Sequence, residues 1–135
     1  MKLSQMRSFR DVVIRFRENR IGYVREFRLL LILVLLASLA DMVSTIYFMQ
    51  SRGPGAEGHP AVRMFSEAYG PVFGPVLGKA VQFLTLIGVT VFLRNWAKFI
   101  FIPIIILYTW AAWYNVWGYE LYHPPLVQWL EQLAI

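Results

Sequence analysis

Asp41 and Lys79 are charged residues set inside long apolar runs, and they are where this 135-residue chain could do polar chemistry. A charge at membrane depth costs several kcal/mol, roughly 2.5–3.5 on insertion scales and more in simulation, and persists where it is paired, hydrated or useful. Two chemistries follow. In the first, Asp41 and Lys79 neutralise each other and the ion pair fixes helix register. In the second, Asp41 accepts a proton or cation in a small outward-facing cavity, with Lys79 tuning its affinity. A lysine beside the carboxylate already neutralises it, so the combination suits an anionic or polar ligand at least as well as a cation.

Further polar groups gather outside the apolar runs. Glu57 and His59 stand in the segment after the first run, and Glu120 and His123 follow the last one. Imidazole and carboxylate ligands suit Zn²⁺, Cu²⁺ or iron, so Glu57, His59 and His123 form a candidate metal set. Glu-x-His is not a diagnostic metal spacing, and a turn-stabilising contact between Glu57 and His59 is the simpler reading. As acid/base groups, Glu57 or His59 would be partly desolvated at the interface. The chain has no cysteine, which excludes disulfides, thiolate catalysis and cysteine-ligated clusters. No histidine lies inside an apolar run, which argues against bis-histidine haem, and the residues name no cofactor.

The elements that must position these groups are helices. Phe27–Met49, Val72–Leu93 and Phe99–Gly118 each approach the roughly 20 residues needed to cross a bilayer core. Ala37-Ser38-Leu39-Ala40 could mimic a signal-peptide cleavage site, but apolar character continues through Phe48 and an uncleaved helix is expected. Helical spacing puts Ala37, Asp41, Ser44, Thr45 and Phe48 on one side of the first span. Gly78, Gln82 and Thr85, with Lys79 adjacent, share a side of the second. Tyr108, Ala112, Asn115 and Tyr119 share a side of the third. Such faces turn toward one another and away from lipid. At 1.5 Å per residue, Asp41 lies roughly 13 Å and Lys79 roughly 11 Å from the outer ends of their spans, so the two can meet. Gly74-x-x-x-Gly78 allows close helix approach, against the first or third helix.

Residues 1–26 hold most of the arginines and read as a cytoplasmic amphipathic segment, with Met6, Phe9, Val13 and Phe16 at helical spacing. Gly22 marks a break before the first span. The basic excess beside that span places the N-terminus inside, and the Arg94–Lys98 turn agrees. Residues 27–118 are then a three-helix transmembrane domain, with Ala61–Tyr69 as a short interfacial helix and Pro103 kinking the third span. Residues 119–135 form an outer tail in which Leu126, Trp129, Leu130 and Leu133 suggest a second short interfacial helix. The fold class is all-α, an integral membrane bundle. The share of hydrophobic residues, 58%, exceeds the roughly 45–50% of soluble domains. The basic residues hug the membrane, which argues for lipid and against nucleic acid.

The order Asp41-x-x-x-Thr45, Gly53-x-x-x-Glu57-x-His59-Pro60 and then Lys79 resembles an uncharacterised family of small bacterial and archaeal membrane proteins. Their pattern runs D-x-x-x-T, then G-x-x-E-x-N-P or a near variant, then a helix carrying lysine. The resemblance covers about residues 36–95. It departs at His59, where asparagine is expected, and in the Gly53–Glu57 gap. It implies that Asp41, Thr45, Glu57, Pro60 and Lys79 form one unit, and a cytoplasmic (inner) membrane location in a bacterium or archaeon.

Two functions are expected from the residues. One is a non-catalytic accessory or structural subunit that docks on other membrane proteins or on its own copies. The other is an ion- or small-ligand-binding protein, metal- or proton-dependent chemistry included, with a pocket built from Asp41, Thr45, Glu57, His59, Lys79, Gln82 and Asn115.

Overall fold

The computed structural model describes residues 3–53, 59–118 and 133, and all regular structure among them is helical. Helix α1 covers Phe9–Arg20, α2 Tyr23–Arg52, α3 Pro60–Phe92 and α4 Ala97–Trp113, the last continuing as a wider π turn over Tyr114–Gly118. Three stretches, Tyr23–Arg52, Pro60–Phe92 and Arg94–Gly118, are long and apolar enough to cross a membrane. The chain is therefore a membrane-embedded helix bundle. The expected interfacial helix after residue 119 lies outside the described residues.

Ser8 starts α1. Its Oγ accepts from Asp11 N, while Asp11 Oδ2 accepts from the backbone N–H of Arg7 (2.9 Å) and of Ser8 (3.0 Å), a reciprocal capping box. The Arg7 amide and then the Ser8 hydroxyl hold the Asp11 carboxyl below its ordinary value of 3.8. A carboxylate depressed in the folded state contributes in full above that ordinary value and loses its contribution as pH falls through the native one. Acidification is therefore expected to release the Arg7 and Ser8 amides, seen as movement of their amide proton shifts. Asp11→Asn should abolish that titration.

Gly22, at φ 72, supplies the left-handed elbow between α1 and α2. Around it, side chains from α1 and from the α3–α4 turn satisfy carbonyls at helix ends. Arg15 Nε and Asn19 Nδ2 both donate to Phe92 O at 3.0 Å, and the Arg15 guanidinium lies 5.2 Å from the Phe92 ring centre. Arg94 donates to Asn19 O (2.9 Å) and Ile21 O (2.7 Å) and pairs with Glu26. The side of α1 that meets the bundle thus carries Arg15 and Asn19. The stripe of Phe9, Val13 and Phe16 is left exposed.

Beside this end lies the apolar core: Tyr23, Phe27, Val34, Leu86, Val91, Ala97 and Phe101. The Tyr23 hydroxyl meets Thr90 Oγ1 at 2.5 Å, so its polar tip is satisfied inside that core. Helix α2 leaves helical angles at Phe27 (φ −104, ψ 15). Helix α4 carries Pro103 and remains one element.

Helix α3 is two segments, 60–69 and 71–92, joined at Gly70 (φ 91, ψ 172). A methyl group placed on Gly74 would sit 2.5 Å from Ser66 N, and one on Gly78 would sit 3.0 Å from Val62 Cγ2. The pairs 66–74 and 62–78 are both centred on residue 70, as two antiparallel segments folded at that residue require. The stretch 60–69 therefore doubles back along 71–80. This corrects two expectations. Ala61–Tyr69 does not stand apart as an interfacial helix, and Gly74-x-x-x-Gly78 receives its own chain rather than the first or third helix. Hydrophobic periodicity reports which face is buried and is silent on direction. The reversal comes from the Gly70–Pro71 step, where glycine takes the positive φ and proline starts the next helix.

Candidate functional site

The fold-back sets the position of the polar centre. His59 caps the 60–69 segment, Pro60 occupies its first turn, and the antiparallel packing carries both toward the depth of Lys79 and Gln82. Asp41 reaches the same depth from α2, about 16 Å along that helix from Arg52 at 1.5 Å per residue. Lys79 lies about 12 Å along its own helix from Pro71.

Asp41 and Lys79 form an ion pair, and both side chains are buried. Lys79 Nζ also donates to Gln82 Oε1 at 3.0 Å and sits 4.0 Å from the centre of the Tyr108 ring. A carboxylate, an amide oxygen and an aromatic face thus surround one ammonium, the degree of satisfaction a buried lysine needs. The Tyr108 hydroxyl donates to the same Gln82 oxygen at 3.3 Å.

These donors fix the Gln82 amide with its oxygen toward Lys79, so its Nε2 donates to His59 Nε2 at 3.1 Å. His59 Nδ1 also lies 3.5 Å from the Val62 amide. A neutral imidazole has one acceptor nitrogen, so these two contacts compete. The Gln82 contact is the shorter and its amide orientation is set by two other groups. The Gln82 amide is therefore the better-placed donor to the ring, and the Val62 amide the weaker one.

A second cluster adjoins the first. Asn115 Nδ2 donates to Ser44 Oγ (3.2 Å) and Thr45 Oγ1 (3.0 Å), and Ser44 Oγ donates to Asp41 O (2.9 Å). Asn115 stands in the π turn that ends the third span, an element that widens the helix and recurs at functional positions. Both clusters border one cavity of about 300 Å³, lined by Asp41, Thr45, His59, Lys79, Tyr108 and Asn115, with Val62, Leu107, Trp110 and Ala111 as apolar walls.

Of the residues expected at the site, Asp41, Thr45, His59, Lys79 and Asn115 line this cavity, and Gln82 backs it through Lys79, Tyr108 and His59. Glu57 and His123 lie outside the described residues, and with them the proposed metal set. Among the described residues no three histidine or acidic side chains converge. Thr85 faces outward and takes no part. Tyr108 and Trp110 also line the cavity, although the expected pocket did not include them. The signal was present, because Tyr108 lies two helical turns before Asn115 on the same side of the third span. Comparison with protein-family models, curated proteins and solved structures finds no match to this chain.

Proposed function

We propose that the chain is a membrane protein that binds a small polar or anionic molecule in the cavity between Asp41, Lys79, Tyr108 and Asn115. The observation that carries this reading is the convergence of α2, both segments of α3 and the end of α4 on one roughly 300 Å³ space. That volume is at the lower limit of ordinary small-molecule pockets, about 300–1,000 Å³. Charge gives the ligand class. The Asp41–Lys79 pair is neutral as a whole, and the N-terminus of the 60–69 segment adds partial positive charge beside it. Tyr108 and Asn115 donate within the protein and keep oxygen lone pairs at the cavity for a ligand's own donors. Irregular backbone at membrane depth is tolerated where it lines a cavity, which is where residue 59 sits.

In this reading the Arg-rich end faces the cytoplasm of a bacterial or archaeal cell and the Gly70 end faces out. The exposed Phe9, Val13 and Phe16 stripe of α1, flanked by Arg10 and Arg17, then rests on the inner surface of the cytoplasmic membrane.

The test is native mass spectrometry of protein extracted gently from its own membranes, with small-molecule and metal analysis of the same sample. A stoichiometric polar or anionic compound is expected. Asn115→Ala or Tyr108→Phe should weaken its retention roughly tenfold, the worth of one good polar contact, while far-UV circular dichroism stays unchanged. Recovery of a bare chain in stoichiometric association with other membrane proteins would overturn this reading.

That outcome would favour a second one, a non-catalytic accessory subunit. Its support is a separate apolar groove of about 570 Å³ between α2 and α4, where Ala40, Ser44 and Ala112 leave room for a neighbouring helix.

A further inference from the structure

An apolar groove near the Arg-rich end runs between α2 and α3 and has a volume of about 520 Å³. Its lining includes Tyr23, Leu31, Leu35 and Ile87, together with Arg20 and Arg28. Arg20 comes from the last turn of α1 and Arg28 from the start of α2, so the Gly22 elbow brings two arginines from different helices to one groove. Neither forms an ion pair with a carboxylate among the described residues. Glu26, two residues before Arg28, is engaged by Arg94.

Length fits the same occupant. From Arg28 to Leu35 the groove follows α2 for about 10 Å at 1.5 Å per residue. One leaflet is half of a hydrocarbon core about 30 Å thick, so this apolar stretch stays within one leaflet. An apolar slot of that length with two arginines in its lining matches a molecule with an acyl chain and an anionic phosphate head.

We propose that this groove is a binding site for one anionic phospholipid, its acyl chain lying along Tyr23, Leu31, Leu35 and Ile87 and its phosphate held between Arg20 and Arg28. The bidentate fork of arginine suits phosphate oxygens, and two forks from separate helices fix the head in place. The bound lipid would also tie α1 to α2 across the elbow. The site is separate from the polar cavity, so it stands whether or not that cavity binds a ligand.

The test uses the full-length protein, delipidated in a non-ionic detergent and titrated with phosphatidylglycerol, phosphatidylcholine or inorganic phosphate under native mass spectrometry. One phosphatidylglycerol is expected to bind saturably, with phosphatidylcholine weaker by roughly tenfold to thirtyfold, the discrimination two surface arginines supply. The exposed pair Arg20→Gln and Arg28→Gln should erase that discrimination without changing far-UV circular dichroism. Leu35→Trp, which fills the slot, should weaken both lipids alike. Equal binding of the two lipids by the native chain would overturn the proposal. So would phosphatidylglycerol binding that survives the double arginine variant. Inorganic phosphate binding as tightly as phosphatidylglycerol would reduce the site to a phosphate clamp and overturn the acyl groove. A dimer dispersed by Leu35→Trp and indifferent to lipid would assign the groove to a second copy of the chain.

Discussion

Lys79→Met is expected to destabilise the protein by about 3–5 kcal/mol, because it strands the Asp41 carboxylate in a buried site with no cation. Asp41 and Lys79 are both buried, and the lysine is held by the carboxylate, the Gln82 oxygen and the Tyr108 ring. Replacing both partners, Asp41→Leu with Lys79→Met, removes the desolvation cost along with the attraction. The double variant should therefore recover most of the loss. The measurement is the midpoint of unfolding by a denaturing detergent for the two single variants and the double. A double variant less stable than Lys79→Met alone would show that a stranded carboxylate is not what weakens the single variant. Stability and function separate in the same experiment. The double variant should fold and still lack the polar molecule assigned to the cavity.

Gly74→Ala is expected to cost about 1–3 kcal/mol and to pry the 60–69 segment off its partner. The added methyl meets the backbone of Ser66, which cannot rotate away as a side chain can. Gly78→Ala should be milder, since its first obstacle is the Val62 side chain at 3.0 Å. Gly88 offers the internal control. It has nothing within 4 Å of an added methyl, so Gly88→Ala removes only glycine's helix penalty and should stabilise by up to about 1 kcal/mol. The chain has no cysteine, which makes Ser66→Cys a clean probe. The buried thiol it introduces should resist a water-soluble thiol reagent in the otherwise native chain and react in the Gly74→Ala background. Equal protection in both would show that the contact relaxes without opening.

Much of the polar centre was legible in the sequence. Asp41 and Lys79 stood at matching depths, and a charge in an apolar run has few places to go. Ser44 and Thr45 followed Asp41 by helical periodicity, and Asn115 was the amide on the facing helix. The partner of Gly74-x-x-x-Gly78 was hidden for a different reason. Spacing of small residues says that a backbone comes close and leaves open whose backbone it is. The turn signal at Gly70-Pro71 was present, but a turn between two helices can lay the first flat or fold it back. Only the fit of Ser66 and Val62 onto the two glycines decides between them. Arg15 was hidden more deeply. It read as one more surface arginine, and its burial depends on the Phe92 carbonyl at the far end of a helix remote from it in sequence.

The Gly70 reversal also changes how the protein occupies the two halves of a bilayer. At the Gly70 end a slice through the molecule cuts α2, the 60–69 segment, the 71–80 stretch and the third span, which is four helical rods. Closer to Phe92 it cuts α2, α3 and the third span, with α1 packed beside them through Arg15 and Asn19. The doubled-back segment at one end and the docked α1 at the other give the two ends of the bundle different cross-sections, so the lipids around each end meet a differently shaped wall.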